Sequence, residues 1–160
     1  MIIRKATPED AAAIASIMSG IAAERVHSAI TTAWSEAEQR AYIAGLSERE
    51  AIHVAIEEEI IGLQTLEKGP FESMAHVAQI GTFLAPTARG RGVGKRLFEQ
   101  TSAFARANGY AKFAIQVRGS NTHARTFYRS LGFKECGRWK AHVRIDGVSD
   151  DEVLMELSLE

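Results

Sequence analysis

The chain reads as a single α/β domain built around a mixed β-sheet. Three observations predict this. Its elements follow the order β-α-α-β-β-β-α-β-α-β-β. Strand-like segments alternate apolar and polar residues, while helix-like segments repeat every three to four. A glycine-rich turn joins one strand to a strongly amphipathic helix. With 160 residues, 46% of them hydrophobic and 24% charged, residues 1–160 have the profile and the length for one sizeable core.

Ile2–Ala6 reads as a short strand. Thr7-Pro8-Glu9-Asp10 then offers a capping hydroxyl, a proline in the first turn and two acids near the positive helix end. Ile14, Ile17, Met18 and Ile21 form the buried stripe of the helix that follows. Val26–Trp34 has no period and is expected to be irregular; Ser35 opens a second helix running to about Leu46. Ile52–Ile56 and Ile60–Leu66 are hairpin strands around a polar turn at Glu57–Glu59. Lys68–Ser73 is a loop, and a strand from about His76 to Leu84 stops before Pro86. The helix after the glycine turn has the stripe Val93, Leu97, Thr101, Phe104 and Ala105 and ends at Asn108-Gly109. Lys112–Val117 is a strand. Asn121–Leu131 is a helix with Ala124, Phe127, Tyr128 and Leu131 on one face, closed by Gly132. Phe133–Cys136 and Val153–Leu159 read as the last strands.

A net charge of −1 supplies no basic field for a nucleic-acid backbone. A single cysteine, Cys136, excludes an internal disulfide and a multi-cysteine metal site; it is expected to pack as a small apolar residue. His27, His53, His123 and His142 show no metal-ligand spacing, so no metal is expected. The first residues lack the apolar run of a signal peptide or membrane span, and a cytoplasmic protein without membrane contact is expected.

The chemical centre is Arg89-Gly90-Arg91-Gly92-Val93-Gly94-Lys95. Alternate glycines allow a sharp turn and the close approach of a ligand. Unpaired amides at the helix start converge on one place, with the positive end of the helix dipole behind them. Such a mouth binds phosphate or pyrophosphate, and Arg89, Arg91 and Lys95 add positive charge around it. Two familiar nucleotide loops fail on spacing. A Walker loop would need Ser or Thr where Arg96 stands, and the dinucleotide fingerprint would need glycine at Lys95 or Leu97.

Arg89-x-x-Gly92-x-Gly94 resembles the Gln/Arg-x-x-Gly-x-Gly/Ala signature of the GCN5-related N-acetyltransferases (GNAT), in which this turn holds the pyrophosphate of acetyl-CoA. The opening Ile-Arg-Lys-Ala-Thr-Pro-Glu-Asp, the Leu84-x-Pro86-x-x-Arg89-Gly90 run and Asn121-x-x-Ala124-x-x-Phe127-Tyr128-x-x-Leu131-Gly132-Phe133 are similar to the family too. In layout the chain resembles the phosphinothricin and amino-acid acetyltransferase branch. The resemblance implies a GNAT fold, a central twisted mixed β-sheet flanked by helices with a V-shaped split between strands 4 and 5. It also implies one N-acetyltransferase domain over the whole chain, with acetyl-CoA as cosubstrate and an amine as acceptor.

By the same resemblance, Thr82, Phe83 and Leu84 offer backbone groups to the pantetheine arm and thioester. Gly81 is a candidate bulge that turns one amide out of the ladder. Arg89, Gly90, Arg91, Gly92, Val93, Gly94 and Lys95 hold the pyrophosphate, and Asn121 adds a CoA contact to its capping role. Tyr128 corresponds to the general acid that protonates the departing thiolate. Where many members carry a glutamate base this chain has Ala78, which leaves His76, Glu72 or a water relay as alternatives. Acceptor-side segments fall at Glu24–Trp34 and Lys140–Asp151, where Glu24, Glu36, Asp146, Asp150, Asp151, Arg25, Lys140 and Arg144 give both signs of charge. A small amino acid or analogue is the preferred acceptor; a polyamine, an aminoglycoside or a protein N-terminus stays open. An acetyl-CoA-binding sensor without turnover is the competing reading. Dimers are common in the family, so a homodimer stays open.

Overall fold

A computed structural model describes residues 1–160. Its strands are β1 (Ile2–Lys5), β2 (Ala51–Ile56), β3 (Ile60–Lys68), β4 (Val77–Leu84), β5 (Lys112–Arg118), β6 (Lys134–Ile145) and β7 (Val148–Ser158). They form one sheet in the order β1-β2-β3-β4-β5-β7-β6, antiparallel throughout except between β4 and β5. The helices are α1 (Ala11–Glu24), α2 (Glu36–Ala44), α3 (Val93–Ala107) and α4 (Thr122–Ser130). Ser35 starts α2 through a reciprocal cap: its Oγ accepts from Glu38 N–H at 3.2 Å, and Glu38 Oε2 accepts from Ser35 N–H at 2.8 Å.

Period-two alternation sends the sheet's side chains to two cores. On one face Ile52, Val54 and Leu63 pack under Ile14 of α1 and Ile43 of α2. On the other, Leu66, Ile80, Phe113, Ile115 and Val117 pack with Ala105 of α3 and Tyr128 of α4. The buried stripe of α3 is Val93, Leu97, Thr101 and Ala105. Phe104, anticipated on that stripe, is only partly buried: it lies edge-on to His53 with Lys5 Nζ 4.8 Å from its ring centre.

The single parallel pairing creates the site. β4 and β5 meet only at Val77 with Lys112 and Ala78 with Phe113. Beyond these pairs β4 stays paired with β3 as far as Leu84, and β5 with β7 as far as Arg118, so the sheet opens into the anticipated V.

The end of the chain differs from expectation. β6 and β7 form a long hairpin through Asp146-Gly147, and most of Lys140–Asp151 is strand rather than loop. The strand expected at Phe133–Cys136 is the start of β6, but the residues that follow it, Gly137–His142, are all exposed, so no apolar alternation marks the continuation. This edge is broken by irregularities at Glu135/Gly137 and Trp139/Val143, the second carrying Ala141 at φ 48° with its N–H held by Asp151 Oδ1 at 2.8 Å. Cys136 lies on this edge and is exposed, not packed as an apolar residue.

Candidate active site

A cleft of about 940 Å³ follows the split, lined by β4, β5, the starts of α3 and α4, and the segment after α1. At one wall the first bond of α3 runs from Arg96 N–H to Gly92 O, leaving the amides of Val93, Gly94 and Lys95 without backbone partners. Gly92 holds φ at +78°, in the left-handed region that favours glycine, and a side chain there would meet nothing within 4 Å. Gly94 has a different reason: a Cβ would lie 3.0 Å from Phe127 Cζ, so its bareness lets α3 approach α4. An array of free amides beside open space is what a pyrophosphate requires.

The three basic residues of the turn separate. Lys95 lines the cleft. Arg89 also lines it, but its guanidinium is committed to Glu24 through bonds of 2.9 and 2.7 Å and to Leu84 O at 3.2 Å. Arg89, then His27, hold the Glu24 carboxyl down at about 2. Arg91 points away, pairing with Glu57 at 2.7 Å beside the β2–β3 turn. Gly90 lines the cleft with φ at +72°.

Thr82, Phe83 and Leu84 lie on β4 along the open edge, and all three line the cleft. Gly81 forms no bulge. It stays in register with Thr65, and its N–H donates to Thr65 Oγ1 at 3.1 Å. Its missing side chain makes room for the Phe83 ring, which a Cβ would meet at 2.9 Å.

Tyr128, 6% exposed, lines the cleft from α4. Its Oη shares a 2.8 Å hydrogen bond with Thr82 Oγ1, which accepts in turn from Gln64 Nε2 at 2.8 Å. Either hydroxyl can donate in that bond; when Thr82 donates to Tyr128 Oη, the phenol proton is left for the cleft. Burial pushes the phenol above its ordinary value and the bond from Thr82 opposes the rise, so it keeps its proton at neutral pH. Asn121 caps α4 through Oδ1 to Ala124 N–H at 3.1 Å, and its Nδ2 donates to His27 O at 3.0 Å. One side chain thus joins the cofactor wall to the segment after α1.

The residues weighed as bases lie elsewhere. Ala78 is fully buried where β4 meets β5; His76 and Glu72 are exposed and outside the cleft lining. The charges expected at the acceptor end are spent on one another: Glu24 on Arg89, Glu36 on Arg40, Asp146 on Arg25, Asp150 on Arg118, and Asp151 on Arg138 and Lys140. Arg144 reaches only Ser149 Oγ, at 3.4 Å. His27, Ser28, Ala29 and Ile30 line the cleft, whereas nothing in Lys140–Asp151 does.

The two carboxylates that line it, Glu67 and Glu152, escaped the sequence reading. Glu67 is the penultimate residue of β3, and Tyr42 Oη donates to its Oε1 at 2.7 Å. Glu152 is 9% exposed, opposite Arg118 of β5 in the sheet register, and its side chain lies 3.9 Å from His142 Nε2. An acid in the middle of a strand was the available signal, hidden because the strand had been read as starting at Val153.

The model of the acetyltransferase (GNAT) family matches residues 21–133. N-alpha-acetyltransferase RimI of Mycobacterium tuberculosis is 33% identical over 78 residues, 49% of this chain; the match spans only 45% of that relative's length. A ribosomal-protein-alanine N-acetyltransferase from Brucella melitensis superposes with a TM-score of 0.93 over 99% of both chains at 23% identity. A phosphinothricin acetyltransferase from Sinorhizobium meliloti, solved in complex with AcCoA, superposes at 0.91 over 98% of this chain and 87% of its own, at 24% identity. The chain belongs to the acetyltransferase (GNAT) family, whose acyltransferases use acetyl-CoA as cosubstrate. No helix is long and apolar enough to cross a membrane.

Proposed function

We propose that the protein is an N-acetyltransferase that moves the acetyl group of acetyl-CoA onto the amine of a small molecule, an amino acid or an analogue, by direct attack on the thioester. The observation that carries this reading is the junction in the split sheet, where the free amides of Val93, Gly94 and Lys95 and the Tyr128 phenol line one cleft. Acetyl-CoA supplies the activated acyl group. Val93, Gly94 and Lys95 hold its pyrophosphate with Gly90 and Gly92 giving access, and the β4 edge at Thr82, Phe83 and Leu84 receives the pantetheine arm. Asn121 orients the wall opposite.

An ammonium group must lose a proton before it attacks, since amines of this kind titrate near 10. Glu152 is the acceptor of that proton in this reading: it is the buried carboxylate of the cleft and no hydrogen bond occupies it. Tyr128 then gives its proton to the leaving sulfur, and Thr82 holds the phenol in place.

The segment after α1 is tied across the acceptor end by Arg118 Nη1 to Arg25 O at 2.7 Å and by Asn121 Nδ2 to His27 O, a confinement that favours a small amine. The match to an N-alpha-acetyltransferase favours a second acceptor, a protein N-terminus.

Thiol release from acetyl-CoA, followed across amino acids, polyamines, an aminoglycoside and short peptides, tests the assignment. Release with amino acids is expected. Release with peptides alone would move the acceptor to a protein N-terminus, and acetyl-CoA binding without release by any amine would leave the sensor reading. Tyr128→Phe is expected to lower kcat by roughly 10²-fold or more with little change in acetyl-CoA affinity; unchanged turnover removes Tyr128 from its role.

A further inference from the structure

We infer, resting on the acetyl-transfer reading above, that the acceptor amine carries an uncharged side chain with an apolar stem and a hydrogen-bonding group towards its end, held in a chamber beside the cleft. A second cavity of about 230 Å³ opens between α2, the segment after α1 and the sheet. It shares Ile30, Thr65, Glu67 and Phe83 with the main cleft, so the two spaces meet at Glu67. Small-molecule sites usually run to about 300–1,000 Å³, so this volume suits one side chain rather than a whole ligand.

The walls specify the occupant. Met18, Trp34, Leu63 and Phe83 make the chamber apolar, and Trp34 packs on Tyr42 with ring centres 4.8 Å apart. Within that apolar lining stands Gln39, 5% exposed. Its backbone N–H is used by Ser35 O, while its side-chain amide makes no hydrogen bond within the protein and is not among the fully buried unpartnered polar atoms, so it is open to solvent in the chamber. A polar group entering the chamber can displace that solvent and bond to the amide directly. No charged group lines the chamber beyond Glu67 at its junction, so a charged side chain would enter uncompensated.

Glu67 also fixes which end of the acceptor faces the cleft. Tyr42 Oη occupies its Oε1, and burial, reinforced by Glu67, keeps that phenol protonated as the donor. The second carboxylate oxygen is left for the acceptor's ammonium, with the side chain running into the chamber and the amine towards Glu152.

The test is calorimetric titration of amino acids into the full chain saturated with CoA, which reads the chamber without requiring turnover. Glutamine is expected to bind at least about tenfold more tightly than glycine, lysine or glutamate, with leucine, which fills the chamber but lacks the polar end, in between. Ala33→Phe, which fills the chamber from an irregular segment, is expected to abolish that advantage while CoA and glycine affinities stay unchanged. Gln39→Leu is expected to weaken glutamine about tenfold and spare leucine. Affinity indifferent to the side chain or to Ala33→Phe, or no measurable binding by any amine of the panel, overturns the inference. Equal losses for glutamine and leucine in Gln39→Leu overturn the polar contact. Side-chain-dependent binding without thiol release would sink the activity reading alone.

Discussion

Glu152 and His53 are both buried ionisable residues of the sheet, and their surroundings give them opposite tasks. Glu152 faces the cleft without a hydrogen-bond partner, which suits a carboxylate that must take up a proton and release it. Glu152→Gln is expected to lower kcat/KM for the amine by roughly 10²-fold near neutral pH, with partial recovery as rising pH deprotonates the amine itself. Acetyl-CoA affinity should not move; a flat pH profile in the variant with undiminished turnover would exclude the role. His53 is closed in, 1% exposed, with Nδ1 3.0 Å from Thr101 Oγ1. Burial, and then Lys5, hold it at about 4 against an ordinary 6.5. Between those values the unfolded chain binds the proton and the folded chain does not, so stability rises with pH across this window and is complete above it. The effect is worth at most about 3 kcal/mol. Urea unfolding from pH 4 to 7 should show this slope, and His53→Gln should flatten it.

At the scale of the element, the start of α3 carries two distinct demands that look alike as letters. Gly92 is held in a left-handed conformation at the mouth, whereas Gly94 is bare because Phe127 of α4 presses against it. Gly92→Asp is expected to cost at least tenfold in CoA affinity, since the new side chain brings strain and a negative charge to an anion site. Calorimetry with CoA measures it, and full affinity would place the pyrophosphate elsewhere. The turn and the α4 motif were legible because glycines, a proline and apolar spacing are local signals. The exposed residues that continue β6 beyond Cys136, Gly137–His142, carry no such signal, and only the hairpin with β7 makes them part of a strand.

For the whole molecule, the cleft is held in shape by a few arginines that cross between distant parts of the chain. Arg118 at the end of β5 bonds Asp150 Oδ2 of β7 at 3.0 Å and the carbonyls of Arg25 and Ser28 at 2.7 and 3.4 Å. Arg25 reaches Asp146 in the β6–β7 turn at 2.7 Å, and Arg89 reaches Glu24. The segment after α1 is therefore anchored from both walls of the split. Arg118→Met is expected to speed amide hydrogen exchange across residues 25–34 and raise the KM for the amine several-fold, with acetyl-CoA affinity little changed. Unaltered exchange there would show that the other ties suffice.

Local pattern alone determined the order of the elements, the glycine-rich turn and the helix bearing Tyr128, because periodicity, glycine conformation and capping act over a few residues. Tertiary structure alone decided that Arg89 answers Glu24, that Arg91 turns outward, and that Glu67 and Glu152 face one cleft beside the chamber holding Gln39. Charges choose partners by distance in space, and those distances exist only once β4 and β5 have parted.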